Sequence, residues 1–472
     1  MILSKESLQR IKRGKPINKL AIAIGRLLCG FFSLAAVFIC SSGVGAQTLV
    51  IENVTLIDGT GTTPVPNIWV IVDGDRIVSV TSGAVSTPEG ITHIDGTGKF
   101  LIPGLMDTHI HLAGGRQGMV TEGQRSLTMD LDRGVETVHG YLFSGVTTLY
   151  DSGNYSKFIF KMRDDERSGK IVSPRIFTTG SVVAFPGGYA SGEGSTTVGN
   201  WDEVSKLDAL LAMEPDMVKF VLDPQGAGAS QLRPTFSPEL LKRLILYCQE
   251  RGFRTTIHVA SEEHALQAVG AGVNALAHVI IRGVVSDSFA ELMASRQIPM
   301  ATTMTVFNNI ARIAKEPEIF DSPLFVATLE PNELERQKTV ERQRYISSGM
   351  SGMFSLMMPY LKENVRKLHM AGAVLAAGTD RTFGPTLHQE LESLVESGVT
   401  PSDAIRIATL NGATYLGKED DLGSIVSGKL ADMVLLGADP TVDIRNAQVI
   451  EAVFKGGVQI DLGRLRLPIN RS

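Results

Sequence analysis

The chain contains little cysteine, with three residues among 472. Cys29 and Cys40 lie within the first 46 residues, so a chain that begins after this segment keeps only Cys248. A single cysteine excludes an intrachain disulfide in such a mature chain. A chain of this length can bury a core large enough to fold without crosslinks, even in an oxidising compartment.

Strong charge of either sign is also lacking. The formal net charge is −5, charged residues make up 20% of the chain, and hydrophobic residues make up 43%. This composition is too apolar for a disordered chain, and the mild acidity gives no reason to expect nucleic acid as a partner. The sequence shows neither internal repeats nor low-complexity segments. These absences favour a globular protein of one or a few domains.

The apolar run near the start of the chain is too short for a membrane span. Residues 27–40 carry no charge over fourteen positions, whereas a spanning helix needs about 20 apolar residues. A basic stretch precedes the run, and Val44-Gly45-Ala46 follows it as a small-residue cleavage site. This pattern predicts that residues 1–46 are a secretory signal peptide and that Gln47 begins the mature chain. We therefore expect a periplasmic or secreted protein without a stable membrane anchor; a retained anchor is the alternative.

Both ends of the mature chain are rich in β-branched residues. The N-terminal part contains "TLVIENVTLID" and "IWVIVDGDRIVSV", in which "DGD" is a signal for a tight hairpin. The C-terminal part returns to this style with "ADMVLLGADP" and "VIEAVFKGGVQID". The pattern predicts one small β-sandwich domain built from residues 47–100 and 421–472.

Residues 101–420 alternate apolar strand candidates with helical stretches, such as 237–252 and 261–272. This alternation predicts an α/β fold, specifically a (β/α)8 TIM barrel. The longest insertion, about 304–370, is charged and helical in pattern, and it offers a lid or a surface for homo-oligomer formation. The eight strand candidates are "GLMDTHIHL", "GVTTLYDSG", "RIFTTGSVV", "DMVKFVLD", "RTTIHVA", "ALAHVI", "IPMATTM" and "AVLAAGTD".

Polar residues fall at the ends of these strands, where barrels of this kind place their chemistry. His109 and His111 are two positions apart, so a strand points both side chains to one face. Each residue alone has a structural alternative, since a lone strand histidine is usually a core residue and a lone aspartate often caps a helix. Together they are what a metal site requires. The candidate ligands are His109, His111, Lys219, His258, His278 and Asp380.

Lys219 is the unusual member, because an ammonium group has no lone pair with which to bind a cation. Burial lets a lysine lose its proton, and the neutral amine can then add carbon dioxide. The resulting carbamate has two oxygens that can bridge two metal ions. This N6-carboxylation would explain a lysine in the apolar strand "DMVKFV", where the burial of a charged ammonium group is energetically unfavourable.

The motifs "IPGLMDTHIHL", "DMVKF", "TIHVA", "ALAHVI" and "AAGTD", with the tail from 390 to 435, resemble the amidohydrolase superfamily. The resemblance is to its imidazolonepropionase-like and prolidase-like branch of metal-dependent hydrolases. It implies a carboxylated Lys219 shared between two divalent ions, which are usually zinc. Carried over to this sequence, His109, His111 and Asp380 would bind one ion, and His258 and His278 the other.

The resemblance implies a binuclear-metal amidohydrolase that cleaves an amide or cyclic C–N bond of a small molecule, and the predicted signal peptide makes it a secreted one. Two cations sharing a water lower its pKa and present hydroxide. Asp380 is the expected catalytic residue, which takes the proton from that water and later gives it to the leaving amine. His139 and Tyr189 are candidate substrate contacts. The loop "AFPGGYAS" lacks the histidine that many relatives carry there, so the resemblance does not extend to a particular substrate.

Two alternatives remain open. A Xaa-Pro dipeptidase or other dipeptidase of the same superfamily would need a group that binds a free carboxylate, and the sequence does not identify one. A non-catalytic metal-binding protein on the same scaffold would be expected to have lost at least one of the ligands. The complete ligand set argues against this second alternative.

Overall fold

A computed structural model describes residues 48–85, 90–115, 129–192, 194–226 and 232–470. The predicted signal peptide, 1–46, and the predicted new N-terminus, Gln47, lie outside these ranges, so export stays a prediction. Across the described ranges, every helix falls short of the length and apolarity that a membrane span requires.

The first strands form hairpins, as the "DGD" signal predicts. Asp73 pairs with Arg76 across the turn between the second and third strands, and Gly74 there has a φ of +62°. This left-handed conformation suits glycine because it has no Cβ. These strands are β1 (Leu49–Leu56), β2 (Val65–Asp73), β3 (Arg76–Ser82), β4 (Thr92–Asp95) and β5 (Phe100–Pro103).

The middle of the chain forms parallel strands, and each of the eight predicted strand segments contains one. They lie in a three-stranded sheet in the order β6-β7-β8 and a seven-stranded sheet in the order β10-β9-β11-β12-β13-β14-β15. The strands are β6 (Leu105–Ile110), β7 (Val146–Asp151), β8 (Arg175–Thr178), β9 (Val183–Ala184), β10 (Thr196–Thr197), β11 (Met217–Val221), β12 (Arg254–His258), β13 (Ala275–Ala277), β14 (Met300–Ala301) and β15 (Leu375–Ala376).

The last strands, β16 (Met433–Leu436), β17 (Ile450–Lys455) and β18 (Val458–Gln459), return to the N-terminal strands. The sheet order is β18-β17-β16-β5-β1-β2-β3, with β4 beside β1. Its buried residues, such as Ile51, Val70 and Phe454, form a core of their own. Both termini thus build one sheet; the two facing layers of a β-sandwich are not distinguished among the described strands, and the sandwich stays a prediction.

Helices connect the parallel strands, and their starts follow local capping signals. The Ser237 side chain accepts a hydrogen bond from Leu240 N at 3.2 Å, and Pro238 begins the helix, as the sequence predicts. The helices are α1 (Leu131–Phe143), α2 (Ser156–Arg167), α3 (Ser205–Leu211), α4 (Pro238–Gln249), α5 (Glu262–Gly270), α6 (Asp287–Arg296), α7 (Met304–Arg312), α8 (Pro323–Thr328), α9 (Pro331–Arg336), α10 (Arg342–Ser347), α11 (Met350–Ala371), α12 (Thr386–Glu396), α13 (Pro401–Ile407) and α14 (Leu410–Leu416).

Hydrogen bonds connect the two parallel sheets at both of their edges. Thr108 N donates to Ala377 O at 2.9 Å, and Asp216 N donates to Thr178 O at 2.8 Å. One buried cluster takes side chains from both sheets, among them Met106, Tyr150, Met217, Ala275 and Ala376. Because the strand pairing itself is not continuous around a ring of eight, the closed barrel stays a prediction.

Candidate functional site

The four predicted histidine ligands lie together at the carboxyl ends of the parallel strands. The ring centroids of His109 and His278 are 4.4 Å apart, and those of His258 and His278 are 4.5 Å apart. His111 is 5.6 Å from His109 by the same measure. Because parallel strands end at the same edge, residues from β6, β12 and the end of β13 meet although up to about 170 positions separate them in the sequence.

His111 directs its Nε2 towards Asp380. Its Nδ1 donates to the carbonyl oxygen of Gly153 at 2.6 Å, so that in the neutral ring Nε2 carries the lone pair. That Nε2 is 3.1 Å from Asp380 Oδ1, and His109 Nε2 is 3.8 Å from the same oxygen. Two acceptors this close repel each other unless a proton or a cation lies between them. The geometry therefore suits a cation bound by His109, His111 and Asp380, whose ligand atoms all lie within 4.8 Å of one another.

His258 and His278 are each oriented by a neighbour that sequence reasoning missed. His258 Nε2 lies 3.1 Å from Asp223 Oδ2, which leaves Nδ1 as the ligating nitrogen. His278 Nδ1 lies 2.8 Å from the hydroxyl of Thr303, which leaves Nε2. Such outer partners fix the ring orientation and tautomer of metal-binding histidines.

Asp223 itself is held by an arginine. Arg282 donates to both carboxylate oxygens of Asp223, at 2.8 and 3.2 Å, and to Gly226 O at 2.8 Å. Burial would raise the pKa of Asp223, but the hydrogen bonds from His258 and Arg282 outweigh it and hold this pKa well below its usual range. The sequence contained one signal for Asp223. It lies four positions after Lys219, and because side chains in a strand alternate faces, an extended chain places both on the same face.

Lys219 is buried in β11 and points at the histidine cluster. Its Nζ is 3.0 Å from His109 Nε2. Burial lowers the pKa of Lys219 to about 8, although the charges of Asp380 and Asp151 oppose the shift. A lysine with this pKa gives access to the neutral amine near physiological pH, which is the form that can add carbon dioxide.

Asp380 occupies a strained backbone position, with a φ of +51°. Its N–H donates to His109 O at 2.7 Å, and the preceding Thr379 donates its N–H and hydroxyl to the buried Asp107 at 3.0 and 2.7 Å. Burial would raise the pKa of Asp380, but contact with His111 and the nearby His278 and Lys219 outweighs burial and holds this pKa below its usual value. Asp380 is therefore a carboxylate at neutral pH.

The donor set fits divalent metal ions, and zinc among them. Burial lowers the pKa values of His109 and His278 well below the usual histidine value, so both are neutral, which is the ligating form. His109 Nδ1 is buried without a hydrogen-bond partner among the described residues. Four imidazoles and a carboxylate in a confined space are typical of zinc rather than of calcium or magnesium.

Two cavities open from this cluster. One, of about 600 Å³, contains all six predicted ligands and is also lined by Tyr189 and Arg233. The other, of about 1010 Å³, lies between the end of β6, the α9–α10 region and the segment after Asp380. They share His111, Gly153, Asn154 and Asp380. The cluster thus has room for a small-molecule substrate on two sides.

The two predicted substrate contacts differ in placement. Tyr189 lines the smaller cavity, and its ring centroid is 5.2 Å from that of His258. His139 lies on α1, where it is buried, and its Nδ1 accepts a hydrogen bond from Arg466 N at 2.7 Å. His139 is not among the residues that line either cavity, and the C-terminal segment occupies its Nδ1; a substrate contact at His139 stays a prediction.

Comparisons with known proteins agree with this site. The model of the Amidohydrolase family matches residues 100–460. Ochratoxinase of Aspergillus niger is 25% identical over 449 residues, which cover 87% of this chain and 86% of that protein. The fold is similar to a Xaa-Pro dipeptidase solved with methionine in its active site, at a TM-score of 0.68 and 23% identity, covering 88% of this chain and 100% of that one. Molinate hydrolase gives a TM-score of 0.69 at 24% identity, covering 90% and 97%.

The family match extends over the parallel-strand region and over the strands that return from the C-terminus, so its range includes every predicted metal ligand. The family model alone spans more than half of the chain. The resemblance noted from the sequence motifs is confirmed at the level of the superfamily. The chain belongs to the amidohydrolase family and is a hydrolase acting on carbon–nitrogen bonds.

Proposed function

We propose that this protein is an exported, binuclear-metal hydrolase that cleaves the amide or cyclic C–N bond of a small molecule. The observation that carries the proposal is the orientation of the histidines. His111, His258 and His278 each place one nitrogen on a partner outside the cluster, so that the other nitrogen is left for the cluster itself. Core histidines have no need of this arrangement, whereas metal ligands do.

We also propose that the two parallel sheets close into a (β/α)8 barrel. The hydrogen bonds between their edges and the core shared by their strands support closure. A barrel would explain why Lys219, on β11, faces His109, on β6. In a closed barrel the ends of all strands ring one site.

The residues divide into two ligand groups. His109, His111 and Asp380 would bind one ion and His258 and His278 the other, with a carboxylated Lys219 shared between them. Two divalent ions, zinc by the donor set, would polarise a carbonyl group and lower the pKa of a water molecule. Carboxylation joins the neutral Lys219 amine to carbon dioxide and releases one proton.

Asp380 handles the proton in the proposed reaction. Its carboxylate accepts a proton from the attacking water and returns it to the nitrogen of the leaving amine. Two hydrogen bonds hold the backbone around this carboxylate in place. Asp380 N donates to His109 O, and the hydroxyl of the preceding Thr379 donates to Asp107. Tyr189, stacked at the edge of His258, borders the substrate in the smaller cavity.

The names of similar proteins support small organic substrates. Ochratoxinase, a Xaa-Pro dipeptidase and molinate hydrolase all share this fold or sequence pattern. We propose a small-molecule amide or dipeptide as the substrate. A Xaa-Pro dipeptidase or other dipeptidase is the alternative among hydrolases, and a non-catalytic metal-binding protein is the alternative to an enzyme.

The proposal is tested with zinc-loaded protein prepared in bicarbonate and a panel of dipeptides, N-acyl amino acids and lactams. We expect hydrolysis of at least one class, with loss of turnover by at least about 100-fold in Asp380→Asn, because general acid–base catalysis contributes about this much. Asp164→Asn, an exposed aspartate on α2 that lines neither cavity, is the matched control. Bound zinc without turnover of any class, in protein that keeps its metal, would favour the non-catalytic alternative.

Export is tested separately, by sequencing the N-terminus of the protein isolated from its native source. We expect Gln47 as the first residue, in a periplasmic or secreted fraction. A retained Met1, or a protein that stays in the membrane fraction, would contradict the proposed signal peptide.

A further inference from the structure

Arg381 follows Asp380 directly, and its backbone is held from three sides. Its carbonyl oxygen accepts a hydrogen bond from the Tyr141 hydroxyl at 3.3 Å, and its N–H donates to the hydroxyl of Thr379 at 3.3 Å. It also forms a parallel bridge with Ile110, at the end of β6. The position of Arg381 is therefore as well defined as that of the neighbouring Asp380.

The side chain of Arg381 differs from those of Arg336 and Arg344, which also line the larger cavity. Its Nε is buried, and within the described ranges it has no hydrogen-bond partner. Arg336 pairs with Glu333 at 2.8 Å and Arg344 with Glu341 at 2.6 Å, so their charges are already balanced. A partly buried guanidinium without a carboxylate is unusual, since unpaired buried donors are destabilising and such groups are normally satisfied.

The larger cavity supplies the space for that missing carboxylate. Arg381 lines this cavity together with His111 and Asp380, the same residues that border the metal cluster. In the proposed reaction Asp380 returns its proton to the leaving nitrogen, so the residue beside it borders the leaving group. In an α-amino acid, the N–Cα and Cα–C bonds place the carboxylate carbon only about 2.5 Å from that nitrogen.

We propose that Arg381 determines specificity by binding the α-carboxylate of substrates whose leaving amine is an amino acid. This inference rests on the proposed function and deepens it. The planar guanidinium offers two parallel N–H donors to one carboxylate. The substrate class is then an acyl group joined through an amide to a free amino acid, which includes N-acyl amino acids and dipeptides.

Other arginines near the site provide controls. Arg133 lines the same larger cavity but interacts electrostatically with Glu333, so its charge is partly balanced. Arg233 lines the smaller cavity and is exposed to solvent. If a general positive potential attracted the substrate, removing either charge would act like removing Arg381. A specific bidentate contact predicts an effect at Arg381 alone.

The experiment compares N-acyl-L-amino acids with their C-terminal amides, using the zinc-loaded wild-type protein and variants. In Arg381→Met we expect the ratio of kcat/KM for acid over amide to fall by about 10- to 100-fold. In Arg381→Lys the loss should be smaller, because the charge remains and the planar fork is gone. Arg133→Met and Arg233→Met should leave this ratio unchanged. An unchanged ratio in Arg381→Met, or the same loss in Arg233→Met, would overturn the assignment.

A binding measurement separates this inference from the proposed function. Calorimetric titration with L-phenylalanine and L-phenylalaninamide needs no turnover. We expect the wild-type protein to prefer the carboxylate by at least about 10-fold and Arg381→Met to lose the preference. Lack of hydrolysis of every amide together with this preference would contradict the hydrolase mechanism and still support Arg381. Equal binding of the two probes by the wild-type protein would overturn the role of Arg381.

Discussion

At the scale of single residues, the site depends on which nitrogen of each histidine is occupied. Gly153, Asp223 and Thr303 each engage one nitrogen of a different histidine. None of these partners is itself a predicted ligand, yet each determines whether a ligand can bind metal. The capacity of the cluster to bind metal therefore depends on these outer hydrogen bonds as well as on the ligands themselves.

Lys219 gives the sharpest test of the bridging carbamate. We expect roughly two zinc ions per chain in the wild-type protein and at most one in Lys219→Ala, because both ions lose a shared ligand. Lys219→Arg should be no better, since a guanidinium stays charged and cannot form a carbamate. The measurement is elemental analysis after purification with zinc and bicarbonate.

A short carboxylic acid such as acetate, added to Lys219→Ala, should restore part of the metal content by supplying oxygen ligands. Arg254→Ala, which removes a partly buried cation at the opposite end of β12, controls for a general loss of charge. Full zinc occupancy in Lys219→Ala would show that Lys219 does not bridge the ions.

His388 predicts a pH dependence of stability away from the metal cluster. It is buried in α12, with Nε2 2.9 Å from Ser144 O, and burial lowers its pKa to about 4 from the ordinary 6.5. Above pH 6.5 it is neutral in both states. As the pH falls from about 6.5 to about 4, the unfolded chain binds a proton that the folded chain excludes, so stability is lost.

The size of this effect follows from the shift. Between pH 7 and pH 5, His388 should reduce the free energy of unfolding by about 2 kcal/mol. His388→Gln keeps a donor for Ser144 O but does not titrate. Urea unfolding of both proteins at the two pH values should show a smaller pH effect in the variant by about this amount. Equal pH effects would mean that His388 accepts a proton readily in the folded protein.

At the scale of elements, one buried glutamate of α12 holds the start of α7. Glu390 accepts hydrogen bonds from Met304 N at 3.0 Å, from Thr305 N and the Thr305 hydroxyl at 2.6 Å each, and from the Thr302 hydroxyl. The free N–H groups of a helix start favour a carboxylate. Thr303, which orients His278, lies within this turn and has a φ of +48°. The cap of α7 thus supports the metal cluster.

Glu390→Gln should therefore destabilise the fold by about 2 kcal/mol, because an amide N–H₂ group would face donors in place of a charged acceptor. Urea unfolding measures this loss. Glu396→Gln on the same helix is the matched control, since its partly exposed pair with Lys362 should contribute less than about 1 kcal/mol. Equal effects of the two changes would contradict a capping role for Glu390.

At the scale of the whole molecule, the predicted ligands come from both parallel sheets. His109 and His111 lie at the end of β6 in the three-stranded sheet. Lys219 and His258 lie on strands of the seven-stranded sheet, and His278 directly follows its strand β13. Asp380 follows β15 and bonds to His109 O. Metal binding would therefore connect the two sheets at one end of their strands.

Removal of the metal should lower the stability of the whole fold. A ligand that binds only the folded state stabilises it by about 4 kcal/mol when its free concentration is a thousand times its Kd. We expect chelation to lower the midpoint of thermal unfolding by several degrees at a fixed scan rate, and zinc to restore it. In His111→Ala the shift should be much smaller. A chelated wild-type protein with an unchanged midpoint would contradict a metal site that connects the sheets.

The sequence by itself determined the eight parallel strands, the helix beginning at Pro238 and the six clustered residues. Runs of apolar residues, capping serines and strand-end histidines are local signals, and the parallel architecture brings strand ends together without further information. The "DGD" hairpin is local in the same way, since two residues determine its turn.

Only the tertiary structure decided which partners these residues meet. His139 carries no local sign that Arg466, 327 positions later, occupies its Nδ1. The pairing of Asp223 with Arg282 likewise depends on distant segments meeting, and so does the absence of a partner for Arg381 Nε among the described residues. Periodicity specifies the face on which a side chain lies, but hydrogen bonds depend on atoms placed to within a few tenths of an ångström. That precision comes from packing across the whole molecule, which no short stretch of sequence contains.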